Sequence, residues 1–345
     1  MAPSYEAPLA FARKRSRLAD RGTLTGVLVV LATTAVAEPL GLLLPMIGAP
    51  ALALLLGMAV RLRYAPDTSA RVVIRFASSN VLKGAVVVLG ATFGLGEVAH
   101  IGRSSLPLML GTLVIALAAA WLVGRALGVD SNLQTLVGVG TAICGASAIG
   151  AVSGVIGAVE SEIAYAISTI FVFNVAAVLL FPPLGHALGL AAHPFGLWAG
   201  TAVNDTSSVV AAGYAYSHAA GDYALVVKLT RTLLIVPIVL ALAALERRRD
   251  TAATAVSGAR VVPLFLVGFL LAAAVNSTGV LGGHLRHELS TAALFLVAVA
   301  LAAVGLSAQP ARIRAAGARP LLLGGVLWAL VASTSLAVQA LTGLL

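Results

Sequence analysis

The stretch Gly200-Thr-Ala-Val-Asn-Asp-Thr-Ser-Ser-Val209 sits in the middle of an apolar run. At an offset of 60 residues it matches Gly140-Thr-Ala-Ile-Cys-Gly-Ala-Ser-Ala-Ile149. Both segments are rich in small and hydroxyl residues. In hydrocarbon, interrupted backbone is tolerated only where it faces protein or a water-filled cavity. Interrupted helices also present unpaired N–H groups and dipole ends that can hold ions. Close helix packing by small residues explains Gly145 and Ala146 equally well. It does not account for Asn204-Asp205-Thr206-Ser207-Ser208. The two segments therefore predict two discontinuous helices. They supply candidate substrate- or ion-binding residues: Thr141, Cys144, Gly145 and Ser147 in the first, and Thr201, Asn204, Asp205, Thr206, Ser207 and Ser208 in the second. Whether 134–159 and 195–217 cross fully or re-enter is open at this level.

Working outward, the 345-residue chain is 60% hydrophobic and only 10% charged, and its mean hydropathy is +1.02. Soluble globular domains carry about 25% charged residues, so a water-soluble fold of this composition is excluded. Disorder and a disulfide scaffold are excluded too, since the chain is apolar and has one cysteine. What remains is an all-α polytopic membrane protein. Apolar spans fall at roughly 24–38, 41–60, 71–93, 107–128, 134–159, 161–187, 195–217, 220–246, 260–278, 291–308 and 319–343, about eleven in all. The runs are too long, and alternate too little, for barrel strands.

The formal net charge is +9. Its distribution argues for the positive-inside rule and against nucleic-acid binding. With the N-terminus cytoplasmic and eleven crossings, the basic residues Arg13–Arg21, Arg61–Arg75, Arg125, Arg247–Arg260 and Arg312–Arg319 share the inner face. Only Arg103 and Arg286 lie outside, and Lys83, Lys228 and Arg231 fall within spans. The C-terminus is then external. Arg13–Arg17, an apolar stretch and Ala35-Val36-Ala37 resemble a signal peptide, but a retained anchor is the preferred reading. The organisation expected is a cytoplasmic tail at 1–23 and one transmembrane domain at 24–345. Repeat-like halves at about 24–160 and 195–345 would be linked by span 161–187. A second similarity sets Pro107-Leu-Met-Leu-Gly111 against Pro320-Leu-Leu-Leu-Gly324. Inverted repeats are a hallmark of secondary transporters.

Intramembrane charge is the strongest chemical signal. Asp205 and Lys83 both fall deep in their spans. A charge at that depth costs at least about 2.5–3.5 kcal/mol and usually marks an ion or substrate path. Asp205 is suited to bind a cation, carry a proton or pair with Lys83. Lys228 and Arg231, one turn apart, suit either the wall of an anion path or snorkelling to an interface. Asn174 and Asn80 suit ligand groups or interhelical hydrogen bonding. No metal ligands and no catalytic group are assigned. The six histidines lack metal-ligand spacing, Ser147 and Ser153 lack a mid-span histidine, and no nucleotide-binding motif is present.

Gly140–Gly150, Phe195–Gly213 and Lys228-Leu-Thr-Arg231 together resemble the YeiH family of bacterial inner-membrane proteins, labelled sulfate exporters. The resemblance covers roughly 24–343. It implies a fold similar to sodium/proton antiporters and bile-acid symporters, with inverted repeats and crossed broken helices. Many members carry His-Glu where this chain has Asn204-Asp205, and an arginine where it has Thr92. The expectation is a non-enzymatic secondary transporter, an exporter of a small anion such as sulfate or an organosulfonate, in the bacterial plasma membrane. It needs no cofactor beyond Na+ or H+ as coupling ion at Asp205. Its partners are the anion and the lipid bilayer, with a homodimer left open. A cation/proton antiporter centred on Asp205 is the alternative, and an intramembrane enzyme a more distant one.

Overall fold

The computed structural model describes residues 7–44, 48–247, 263–308 and 317–344, and among these every regular element is helical. The basic residues Arg248, Arg249, Arg260, Arg312 and Arg314, and the start of the N-terminal tail, lie outside the described residues. In chain order the helices are α1 (Ala7–Leu43), α2 (Gly48–Arg63), α3 (Thr68–Phe76), a π-helical turn (Ala77–Val81), α4 (Leu82–Gly90), α5 (Leu95–Ala126), α6 (Ser131–Ala142), α7 (Ala146–Ser153) and α8 (Glu160–Ala187). They continue with α9 (Ala192–Ala202), α10 (Thr206–Tyr216), α11 (His218–Leu233), α12 (Ile235–Arg247), α13 (Leu264–Ser277), α14 (Gly283–Ser307) and, as we label it, α15 (Ala318–Thr342). Seven continuous helical stretches are long and apolar enough to cross a membrane. The chain is a multi-pass membrane protein.

Polar residues at the span ends start helices by accepting otherwise unpaired N–H groups. Asp67 accepts from Ala70 N at 2.7 Å, Asp130 from Asn132 N at 3.0 Å and Ser217 from Ala220 N at 3.1 Å. Glu162 reaches back to Val159 N at 2.9 Å. The prolines differ in role. Pro107 lies well inside α5, where it removes a helical hydrogen bond. Pro320 sits in the first turn of α15, where no such bond exists to lose. The Pro107 and Pro320 segments therefore hold different places in their helices.

Both predicted interruptions are present, at 143–145 and 203–205. Each makes a re-entrant hairpin rather than a crossing. Phe195, at the start of α9, stacks on Tyr216, at the end of α10, with centroids 3.8 Å apart. A straight helix would separate those rings by about 30 Å at 1.5 Å rise per residue. The packing against α11 agrees. Gly196 lies against Ala220 and Tyr223, and Gly200 against Ala224 and Val227, so α9 runs parallel to α11. The single residue Ser217 reverses α10 into α11.

The first hairpin follows from the same logic. Gly140 lies against Ile149 across the break. Gly138 faces Ala120 and Gly124 faces Gln134, so α6 runs back along α5. Arg319, at the start of α15, approaches Gly128 at the end of α5. Farther along, Gly324 meets Thr169 and Phe173, and Trp328 meets Phe173 and Phe181. Helices α8 and α15 thus begin on one face, the face where α6 also begins. The α6–α7 segment enters and leaves by that face, and α9–α10 does so by the other.

The repeat is visible in the helix ranges. Adding 60 to α6, α7 and α8 gives 191–202, 206–213 and 220–247. The observed elements are Ala192–Ala202, Thr206–Tyr216 and, across α11 and α12, His218–Arg247. The unit is one hairpin followed by one span, inserted once from each face.

This topology predicts a labelling pattern for single cysteines placed in a Cys144→Ala background. Ser131→Cys and Val159→Cys should react with an impermeant maleimide from one face of sealed vesicles, and Leu188→Cys from the other. Full crossings would instead pair positions 131 and 188.

Candidate functional site

The two hairpin tips meet inside the bundle. Each tip brings together the C-terminal end of one half-helix and the N-terminal end of the next. At the first tip, Ile143 leaves helical geometry and Gly145 adopts φ +66°, ψ −130°, a conformation that favours glycine. A Cβ added to Gly145 would lie 3.1 Å from Asp205 Cβ, so the tips are in direct apposition. At the second tip, Val203 and Asp205 are extended.

Lys228, fully buried on α11, ties the tips together. Its Nζ donates to Ile143 O and to Val203 O, each at 2.8 Å. These carbonyls end α6 and α9, whose dipoles place partial negative charge at that point. One turn on, the equally buried Arg231 donates through Nη1 to Thr201 O, another carbonyl at the end of α9. Neither side chain snorkels to an interface.

Asp205 is the N-cap of α10. It accepts from Ser208 N at 2.8 Å, Ser207 Oγ at 2.6 Å, Ser208 Oγ at 3.1 Å and Asn174 Nδ2. Asn174 reaches across from α8 and also accepts from Asn204 N at 3.1 Å. This amide therefore fixes the second tip to a spanning helix. Lys83 takes no part. It lies on the exposed face of α4, so the pairing with Asp205 expected from depth alone does not form. Asn80 is exposed as well. The intramembrane position was legible in the sequence, but the helix face was not.

Several buried polar atoms at or beside the tips have no partner among the described residues: Thr141 Oγ1, both side-chain atoms of Asn204, and Nε and Nη2 of Arg231. Buried polar groups are almost always hydrogen-bonded. Asn204 Nδ2 and Arg231 Nε and Nη2 are donors open to a partner, and Asn204 Oδ1 is an open acceptor. Cys144 is a free buried thiol beside Lys228 and Arg231, with the Thr232 hydroxyl and Ala148 amide in reach. Ser147 and Thr206 stand at the starts of α7 and α10. Ser147 is exposed and Thr206 partly so.

Support from α15 was not legible in the sequence. Thr201 Oγ1 and Ser335 Oγ lie 2.8 Å apart, and Gln339 Nε2 donates to Ser335 Oγ at 3.4 Å. Trp198 Nε1 donates to Ala332 O at 3.1 Å. The only available signal was the i, i+4 spacing of Ser335 and Gln339 in an apolar helix.

These features define a polytopic helical membrane protein with a polar, cationic centre between two inverted hairpins. A family described as "Conserved hypothetical protein 698" matches residues 23–324. The chain is similar to the UPF0324 membrane protein of Streptococcus pyogenes serotype M6, at 41% identity over 93% of this chain and 98% of that protein. It is also similar to those of Clostridium tetani, at 38% over 86% and 90%, and Streptococcus pneumoniae, at 39% over 92% and 97%. No solved structure matches. The chain belongs to the YeiH/UPF0324 family of membrane proteins.

Lys228→Met removes two charge-assisted hydrogen bonds and leaves two tip carbonyls unpaired. It is expected to destabilise the protein by about 1–3 kcal/mol, read as a lower unfolding midpoint in detergent. Lys228→Arg should not restore the loss, because a planar fork does not reproduce a compact ammonium.

Proposed function

We propose that this protein is a secondary transporter of a small oxyanion, such as sulfate or an organosulfonate, working as an exporter by alternating access. The observation that carries the reading is the balance of charge and hydrogen bonding at the tips. Two fully buried cations, Lys228 and Arg231, stand against one carboxylate, Asp205. Arg231 keeps two nitrogens free, and Asn204 keeps both side-chain atoms free. A guest with negative charge and several acceptor oxygens satisfies the free nitrogens of Arg231 and Asn204. A cation would add to the excess positive charge.

The inverted insertion of the two hairpins supports alternating access. Each face of the membrane leads to one hairpin, and the tips share a single centre. Asp205, which is partly exposed, is the coupling residue in this reading, with H+ or Na+ as the coupled ion. The cation/proton antiporter reading gains less support. It leaves the free nitrogens of Arg231 without an acceptor.

Proteoliposomes loaded with radiolabelled sulfate test the proposal. The wild type should release sulfate faster under an imposed ion gradient than without one. Asp205→Asn should cut gradient-driven flux by about tenfold or more, as expected when a coupling site loses its charge. Gradient-driven Na+ or K+ exchange with no requirement for an anion would support the antiporter instead.

A further inference from the structure

We infer that the groove along α3, lined by Arg71 and Arg75, seats an anionic phospholipid, with its phosphate held between the two guanidinium groups. The groove includes none of the tip residues, so the site is independent of what the tips bind.

The turn from α2 into α3 is strongly basic. From Arg61 to Arg75 the chain has four arginines against one carboxylate, Asp67. That carboxylate is already in use. It caps α3 by accepting from Ala70 N at 2.7 Å, and it faces α1, where a Cβ on Gly22 would meet it. Arg71 donates through Nε to Pro66 O at 2.8 Å, which steadies its side chain. Its two terminal nitrogens, and the whole guanidinium of Arg75, have no hydrogen-bond or ion-pair partner among the described residues. Both side chains are exposed. They stand at i and i+4, neighbours on one helix face, where like charges repel. An anion between them turns that repulsion into charge-assisted hydrogen bonds.

Position selects a lipid as the source of that anion. Arg71 and Arg75 follow the N-cap Asp67 by four and eight residues, about 6 and 12 Å along the helix at 1.5 Å rise per residue. The stretch Thr68–Gly90 is long and apolar enough to cross a membrane, so both arginines stand where it enters the bilayer. Helical side chains lean towards the helix N-terminus, which returns both guanidinium groups to the headgroup level. Basic pockets at that level suit anionic head groups. The groove encloses about 630 Å³. Beside the arginines its wall is apolar and open, with Val72 65% and Phe76 58% exposed, and this receives the first part of an acyl chain. Deeper, Ser79 and Asn80 of the π-helical turn line it. The hydrocarbon seat is therefore short, and the head group carries the recognition. A water-soluble phosphate would leave Val72 and Phe76 uncovered.

The test titrates the purified full chain in detergent with phosphatidylglycerol or with phosphatidylcholine of the same acyl chains. Retained lipid is counted by native mass spectrometry, and the unfolding midpoint is followed in parallel. The wild type should retain phosphatidylglycerol in preference, and its midpoint should rise with that lipid through mass action. Arg75→Gln should weaken phosphatidylglycerol binding about fivefold, and Arg71→Gln with Arg75→Gln about thirtyfold. The Arg75 side chain makes no bond within the described protein, so the single variant keeps the fold whatever the double variant does. Arg61→Gln with Arg63→Gln removes equal charge from the same turn outside the groove and should keep wild-type retention. Equal retention of the two lipids by the wild type, or equal loss from the two double variants, would overturn the site. So would a midpoint raised as much by glycerol phosphate as by phosphatidylglycerol. A two-chain mass that the Arg71 and Arg75 changes reduce to one chain would overturn it as well, since a second copy would then cover the groove.

Discussion

A single ammonium group organises the centre of this protein. Lys228 Nζ lies between Ile143 O and Val203 O, where the last carbonyls of two half-helices arrive from opposite faces of the membrane. Two like dipole ends pointed at each other in a low dielectric repel. A buried cation between them turns that repulsion into two charge-assisted hydrogen bonds. The lysine itself is tolerable in hydrocarbon only because those carbonyls replace water. The hairpin tips and Lys228 are therefore mutually dependent, and the positions of Arg231, Asn204 and Asp205 follow from theirs.

The inverted repeat explains why the centre is asymmetric in chemistry though similar in form. Both hairpins have a twelve- or eleven-residue entering helix and a break at equivalent positions. Both lead into a long span. The substituents differ: Cys144 and Gly145 on one side, Asn204 and Asp205 on the other. Glycine allows the tight approach of the tips, and aspartate supplies a fixed negative charge. Asn174, on the span between the hairpins, holds both Asp205 and the Asn204 backbone. A motion of α8 would therefore be felt at the second tip.

Much of this was legible in the sequence, for identifiable reasons. The match between 140–149 and 200–209 located both interruptions, because broken backbone in a membrane needs small and hydroxyl residues. Asp205, Lys228 and Arg231 stood out because charge is rare at that depth. The hairpins were not legible. Making both segments re-entrant moves only two loops, 154–159 and 188–191, to the other face, and neither contains lysine or arginine. The basic residues keep the same sides in both topologies, so the positive-inside count cannot separate them. Lys83 misled for a different reason. Its depth along the chain was clear, but the helix face depends on how α4 packs, and that face is turned outward. Ser335 and Gln339 escaped notice because two neutral polar residues in an apolar helix carry little signal without their partner Thr201.

The most direct measurement is an experimental density map of the protein in lipid nanodiscs with sulfate present, at a resolution that defines side chains. Two re-entrant hairpins from opposite faces are expected, with the Lys228 side chain between the 143 and 203 carbonyls and Arg231 buried beside them. A map showing residues 131–153 and 192–216 as two straight membrane crossings, with Lys228 away from both breaks, would contradict this arrangement.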